Sequence, residues 1–364
     1  MKVLFICKKR NNTYGISVGL SNSAKFVADA LNKRGVQAKV VSVNDANDID
    51  REVTLYDPNH VILEALWVTP GKLREVVSLR RHRHRSWNIR IHSKTPFLSN
   101  EGIAMGWIHG YNQLQYEFNN VSVSGNNLDF VNDLGQVTNT FVDYLPNIYE
   151  IPDNIRVHET DSGPEFINIG CFGAIRPLKN HLQQAFAAIM FAERLGKRLR
   201  FHINASRTEQ KGDEVLRNLR DLFAGLPQHQ LVEHGWLTHP EFVELVKTMD
   251  FGMQVSFSES FNIVTADMVS KGVPVVVSTD VSWMPLAYRA VPTDTNDIMK
   301  KMALVYRHPI IASNANIKAL NQHNKKAIKA WMSYLKLAES EHPNVNQIQK
   351  NSWMSAFKSW FKRK

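Results

Sequence analysis

Two acidic residues, Glu259 and Asp267, stand eight positions apart in ESFNIVTADMVSKGVPVVVS, residues 259–278. The apolar run VKTMDFGMQVSF before them reads as a strand, and Gly272 followed by VPVVVS reads as a helix stop and the next buried strand. Between them the segment fits a loop that turns into a helix near Phe261. Glu259 then lies in the loop, and Asp267 about two turns into the helix. A helix beginning there presents free backbone N–H groups, which suit an anion. An anion with hydroxyls on both sides fits best: a nucleotide diphosphate sugar, with one acid on the sugar, the other on the ribose and amides on the phosphates. Spacing alone serves a capping acid and a solvated helix residue as well, and both readings stand at this point.

The elements that must position these acids follow one plan twice. KVLFIC is an apolar run of strand length, KKRNNTYGISVGLS a polar loop, SAKFVADALNKRG a helical pattern ending at Gly35, and AKVVSV a second strand. The plan restarts at Phe166 with the strand FINIGCFG, the loop AIRPLKN, the helix HLQQAFAAIMFAERLG stopped by Gly196, and the strand RLRFHINA. Such alternation predicts an α/β protein of parallel sheets with ligands at the strand carboxyl ends, here two Rossmann-like domains facing a cleft. Residues 145–165 carry three prolines and no clean period, which marks a linker. The expected division is 1–155, 163–310 and a helical 311–364 that could pack back on the first domain.

A chain of 364 residues is long enough for two such cores. No apolar run approaches the roughly 18 residues of a membrane span, and MKVLFICKKR lacks the order of a signal peptide, so a cytoplasmic protein is expected. Cys7 and Cys171 each sit in an apolar segment and read as buried free thiols. A net charge of +10 favours a polyanionic partner, nucleic acid or an anionic membrane surface.

The stretch ESFNIVTADMVSKGVPVVVS resembles the acid-x7-acid motif of retaining GT-B glycosyltransferases of family 4. INIGCFGAIRPLKNHLQQAF is similar to that family's strand-Gly-loop-Lys-Asn-helix opening, and LVEHGWLTHPEFVELVKTMDFGMQVSFSES to its next two elements. VDYLPNIYE is similar to its Pro-Asn stretch before the linker. The whole chain also resembles glycosyltransferase-like proteins of tailed phages.

The resemblance implies transfer of a sugar from a UDP- or GDP-linked donor to an acceptor hydroxyl, with retention and without a required metal or cofactor. Glu259 would contact the donor sugar, Asp267 the ribose, and Lys179 the diphosphate, with backbone amides from Asn262 and Ile263. His92 would reach the transferred sugar, and Gly15 and Gly19, in the loop before the first helix, would let backbone approach the donor. Two departures stand out: Asp267 replaces the family's usual Glu, and Ala174 replaces an Arg whose charge Arg176 could supply. Each of these residues also has a plain structural reading, as a solvated loop cation, a strand-end histidine or turn glycines. The Asp-x-Asp triplet at Asp48 and Asp50 reads as a solvated loop rather than a metal site.

For the acceptor, SLRRHRHRSWNIR sets Arg80, Arg81, Arg83 and Arg85 beside Trp87, with Lys8, Lys9 and Arg10 at the end of the first strand. Clustered arginine with an aromatic suits phosphate neutralisation plus stacking on an exposed base. A glycosyltransferase acting on DNA would need a base hydroxyl, that of a hydroxymethylated pyrimidine, reached by flipping. A solvated helix face gives the same charge run. The tail NSWMSAFKSWFKRK spaces Trp353, Phe357, Trp360 and Phe361 on one face of a basic helix, the pattern of a membrane-surface anchor. A lipid or envelope-glycan acceptor is therefore the second reading, and a non-catalytic DNA-binding protein on the same scaffold a third.

Overall fold

The computed structural model describes residues 1–9, 18–152, 155, 157 and 163–337. They divide into two compact units: Met1–Ile148 with the chain from Lys326 onward, and Tyr149–Lys325.

Among the described residues the first unit holds a parallel sheet of β1 (Lys2–Lys8), β2 (Gln37–Val43), β3 (His60–Glu64), β4 (Ser86–Ile91), β5 (Val121–Gly125) and β6 (Asp143–Tyr144), in the order 2-1-3-4-5-6. Its helices are α1 (Val18–Asn32), α2 (Asp48–Tyr56), α3 (Pro70–Ser78), α4 (Thr95–Leu98), α5 (Ala104–Glu117) and α6 (Leu128–Thr138). The period of two along a strand builds two cores, one on each face. Leu4 and Ile6 of β1 join the core containing Val76, Trp87 and Ile108, while Val3, Phe5 and Cys7 join the one containing Val27, Leu31 and Trp331.

The second unit repeats the theme with β7 (Phe166–Gly170), β8 (Arg198–Asn204), β9 (Gln230–His234), β10 (Phe251–Gln254), β11 (Val275–Ser278) and β12 (Arg289–Ala290). All pairings are parallel, in the order 12-11-10-7-8-9. Renumbered from β7 this is the doubly wound order 3-2-1-4-5-6 read from the other edge. The helices are α7 (His181–Arg194), α8 (Gly212–Ala224), α9 (His239–Val246), α10 (Ile263–Ser270), α11 (Thr295–Arg307) and α12 (Pro309–Leu337). Gly196 and Gly272 end α7 and α10 with positive φ of 66° and 75°, a conformation only glycine adopts without strain.

Helix α12 belongs to the second unit in its first part and to the first unit from Lys326. Its first part packs into the second unit, where Ala312 joins the core and the Ser313 hydroxyl donates to the Gly272 carbonyl at 2.7 Å. Its last part packs into the first unit, where Trp331 lies against Phe5 and donates to the Pro146 carbonyl at 2.8 Å. Cys7 and Cys171 are buried free thiols, and burial pushes both up to about 12. Among the described residues no helix is long and apolar enough to cross a membrane. The aromatic tail, residues 351–364, lies outside the described residues.

Candidate active site

In the second unit the chain leaves β7 toward β8 on one side, while β10 lies on the other, so the strand order reverses between β7 and β10. Ligands of open parallel sheets bind outside the strand carboxyl ends at such a reversal. The loops after β7 and β10 hold Arg176, Lys179, Glu259, Asn262 and Ile263 together there.

Two polar side chains and one backbone hydrogen bond lock these loops. Asn180, at φ 59°, donates to the Val255 carbonyl at 3.0 Å and the Pro292 carbonyl at 2.8 Å. Gln184 donates to the Lys179 carbonyl at 2.8 Å and accepts from the Val255 amide at 2.8 Å. The Phe257 amide donates to the Leu178 carbonyl at 2.9 Å, tying the second loop to the first. Held this way, the Lys179 ammonium and the Glu259 carboxylate form a direct ion pair, with side chains only 11% and 9% exposed.

Helix α10 starts beside them. Asn262, at φ 63°, accepts from the Thr265 amide at 2.9 Å and donates to Gln254 Oε1 at 3.0 Å. This cap takes one first-turn N–H, while those of Ile263 and Val264 have no partner within the helix and carry the positive end of its dipole. Gly173, at φ 112°, donates to Asn204 Oδ1 at 2.9 Å, and a Cβ there would lie 3.8 Å from Val264 Cγ2. Backbone of the first loop thus passes close to the first turn of α10.

Arg176 is not alone. It donates to Glu209 at 3.1 Å, and Arg207 donates to the same carboxylate at 2.9 Å. Against burial, which raises it, Arg207 and Arg176 hold Glu209 below the usual carboxylate range. The three groups carry a net positive charge. The loop after β8 that supplies Arg207 and Glu209 is joined to the first loop by Ile175, whose amide donates to the Arg207 carbonyl at 2.9 Å. Among the described residues no group of three or more His, Cys, Asp or Glu could hold a metal ion.

Asp267 departs from the expected role. Its side chain is 4% exposed, and Oδ1 accepts from the Tyr149 hydroxyl at 2.7 Å and from His239 Nε2 at 2.7 Å. Burial pushes its carboxyl above the usual range despite these hydrogen bonds. The acid that the spacing set toward a ribose is an internal anchor between α10, α9 and Tyr149.

In the first unit the carboxyl ends of β3 and β4 carry a buried polar network. Arg90 donates to Glu64 at 3.1 Å, Asn147 Oδ1 at 2.6 Å and the Leu145 carbonyl at 2.8 Å. His92, 13% exposed, turns Nε2 to Glu64 and Nδ1 to the Asn126 amide group at 3.4 Å. Both ring nitrogens of His92 therefore face protein groups, and burial lowers its pKa.

No family model matches the chain, and no curated protein matches it by sequence. Solved structures do match it. HepE of Anabaena, solved in complex with UDP and glucose, aligns with a TM-score of 0.62 at 12% identity, over 93% of this chain and 100% of that one. A UDP-forming α,α-trehalose-phosphate synthase from Burkholderia vietnamiensis aligns at 0.61 with 9% identity, over 93% and 100%. TarM of S. aureus, solved with fondaparinux, α-GlcNAc-glycerol and UDP, aligns at 0.57 with 14% identity over 77% of this chain; the chain spans 55% of TarM. The fold is GT-B.

Within this GT-B chain several sequence expectations need correction. Trp87 is a core residue of β4 at 0% exposure, so its ring offers no face to a base. Arg85 is buried and paired with Asp57 at 2.5 Å, and Arg81 grips Asp50 at 2.6 Å and 2.9 Å. Arg80 and Arg83 stay exposed. Arg80, Arg81, Arg83 and Arg85 precede β4, at the amino ends of the strands, opposite to where His92 sits. Asp48 and Asp50 are not a loop but the first turn of α2, and Arg81 holds Asp50 down at about 2. Gly19 lies inside α1 rather than before it, while Gly15 and Arg10 lie outside the described residues.

Sequence reasoning missed Glu64, Arg207, Glu209 and Tyr149 as parts of these sites. Only the Arg-x-Glu pattern in a polar loop after a strand could have drawn attention to Arg207 and Glu209.

Proposed function

We propose that the protein is a retaining glycosyltransferase that uses a nucleotide-diphosphate sugar, UDP- or GDP-linked, and requires no metal. The observation that carries this reading is the Lys179–Glu259 pair at the β7/β10 reversal, beside the first turn of α10. The neighbouring folds support it, since HepE and TarM were solved with UDP.

In the proposed reaction the bond between the anomeric carbon and the distal phosphate oxygen breaks. Lys179, the Asn262 and Ile263 amides and the Arg176–Glu209–Arg207 cluster meet the charge that develops on the leaving diphosphate. Glu259 accepts hydrogen bonds from sugar hydroxyls. An acceptor oxygen bonds to the anomeric carbon on the same face, and its proton passes to the departing phosphate oxygen, giving a glycoside and a nucleoside diphosphate. His92, turned toward Glu64 and Asn126, is given no proton transfer in this scheme.

The acceptor carried into the test is a hydroxymethylated pyrimidine of DNA in the cytoplasm, for which the net charge of +10 speaks. Lipid-linked and envelope-glycan hydroxyls are the other arm. The experiment is a matrix of UDP- and GDP-sugars against DNA containing 5-hydroxymethylcytosine or 5-hydroxymethyluracil, and against lipid-linked acceptors, read by mass spectrometry. Sugar-sized mass gain on one acceptor, lost in Lys179→Ala and Glu259→Ala, is expected. DNA binding with no turnover of any donor would instead establish a non-catalytic DNA-binding protein.

A further inference from the structure

The loop between β11 and β12 carries no residue that spacing or resemblance singled out, yet it grips the Glu259 segment from both sides. The Glu259 amide donates to Asp280 Oδ2 at 2.9 Å. Two residues after Glu259, the Phe261 carbonyl accepts from Trp283 Nε1 at 2.7 Å, and the Trp283 ring stacks on that of Phe261 with centroids 5.6 Å apart at 30°. His323 of α12 closes the aromatic group, 5.1 Å from Phe261.

The grip is itself anchored. Val281 and Met284 of the same loop are core residues at 0% and 1% exposure. The Met284 amide donates to the Val281 carbonyl at 3.1 Å, and Arg289 of β12 donates to the Met284 carbonyl at 2.7 Å and to the Ser282 carbonyl. A path of short contacts therefore runs from the core through Asp280 and Trp283 to the backbone on each side of the Glu259–Ser260 segment. Backbone held at both ends fixes where a side chain points, and catalytic geometry tolerates little drift.

We infer that Asp280 and Trp283 are positioning residues that aim the Glu259 carboxylate for sugar transfer while taking no part in nucleotide binding. The inference rests on the donor-site reading above. Trp283→Phe keeps an aromatic ring and removes the Nε1–H donor along with the rest of the indole's five-membered ring. Asp280→Ala removes the acceptor for the Glu259 amide, and Asp280→Asn restores an acceptor without the charge.

The test measures two quantities on the full chain: UDP affinity by calorimetry, and the rate of UDP release from UDP-glucose without acceptor, with GDP-mannose and GDP as the parallel pair. Trp283→Phe and Asp280→Ala are expected to lower the turnover rate about tenfold to a hundredfold while Kd for the nucleotide stays within about twofold. Asp280→Asn is expected to stay within about threefold of the wild type. Unchanged turnover in Trp283→Phe, a parallel loss of nucleotide affinity, or an Asp280→Asn defect as deep as that of Asp280→Ala would each overturn the positioning role. If Trp283→Phe does not fold, the Asp280 pair decides. A wild-type chain that binds neither UDP nor GDP would overturn the donor-site reading itself, a result distinct from all of these.

Discussion

Replacing Glu64 with glutamine tests the buried network at the carboxyl ends of β3 and β4. The change keeps the side chain's size and removes its charge. Arg90 and Glu64 both have side chains with 0% exposure, so the guanidinium has no route to solvent. It would keep its bonds to Asn147 and the Leu145 carbonyl and lose its counter-charge. Removing one partner of a buried ion pair costs about 3–5 kcal/mol, because the remaining charge stays uncompensated. With a urea m-value of about 3 kcal/mol/M, the midpoint of the unit's transition should fall by about 1–1.7 M.

The double variant Glu64→Gln/Arg90→Met removes the stranded cation and should lose less than the sum of the two single changes. The sign with pH follows from the same geometry. Burial raises the Glu64 pKa, but Arg90 and His92 outweigh it and hold the group below its usual range. Its stabilising contribution is thus present above the unfolded pKa of about 4.3 and is lost as pH falls through the lower folded value. Urea titrations of wild type, both single variants and the double variant supply every term. A Glu64→Gln loss under about 1 kcal/mol, or strict additivity with Arg90→Met, would refute the view that these charges depend on one another.

Three further outcomes are expected. Trp87→Ala should cost about 3–5 kcal/mol in urea unfolding and leave the salt dependence of DNA binding unchanged, since the ring is core; an altered salt slope at unchanged stability would return Trp87 to the surface. Asp267→Ala should cost about 1–3 kcal/mol by removing the acceptor that the Tyr149 hydroxyl and His239 share, with UDP affinity held; weaker UDP binding at unchanged stability would restore the ribose role. Burial holds His60 near 4 and His181 and His202 near 3, against about 6.5 unfolded, so these rings are neutral in the fold and protonate on unfolding. Their contribution is full above about pH 6.5 and is lost as pH falls. At pH 5 unfolding should take up about three protons through these groups, near 4 kcal/mol per pH unit; a urea midpoint constant from pH 7 to 5 would contradict this.

The sequence by itself determined several elements and their ends, though not α2, which it read as a loop, nor the start of α1. Apolar runs of strand length, helical periods stopped by Gly35, Gly196 and Gly272, and their alternation are local signals, and β1, α7, α10 and β11 form where they predict. Lys179 and Glu259 were singled out by the strand-Gly-loop-Lys-Asn and acid-x7-acid resemblances, and the chain order places them in the segments that follow β7 and β10. What chain order cannot say is which loops become neighbours, and that is where the tertiary structure decided. The reversal of strand order between β7 and β10 brings Lys179 onto Glu259 across 80 residues, and it also brings Asp280 and Trp283 to the backbone around Glu259.

Burial was decided at the same level. Trp87 and Asp267 have the residue types of a stacking platform and a ribose ligand, yet their Cβ directions on β4 and α10 point into packed protein. One position along a strand, or a fraction of a turn on a helix, separates the two outcomes. The charge run around Arg80 shows the same limit: counted along the chain it is strongly basic, while in space Asp50 and Asp57 neutralise Arg81 and Arg85 from about 30 residues away. Charges and hydrogen-bond partners add over distance in space, and only the folded chain sets that distance.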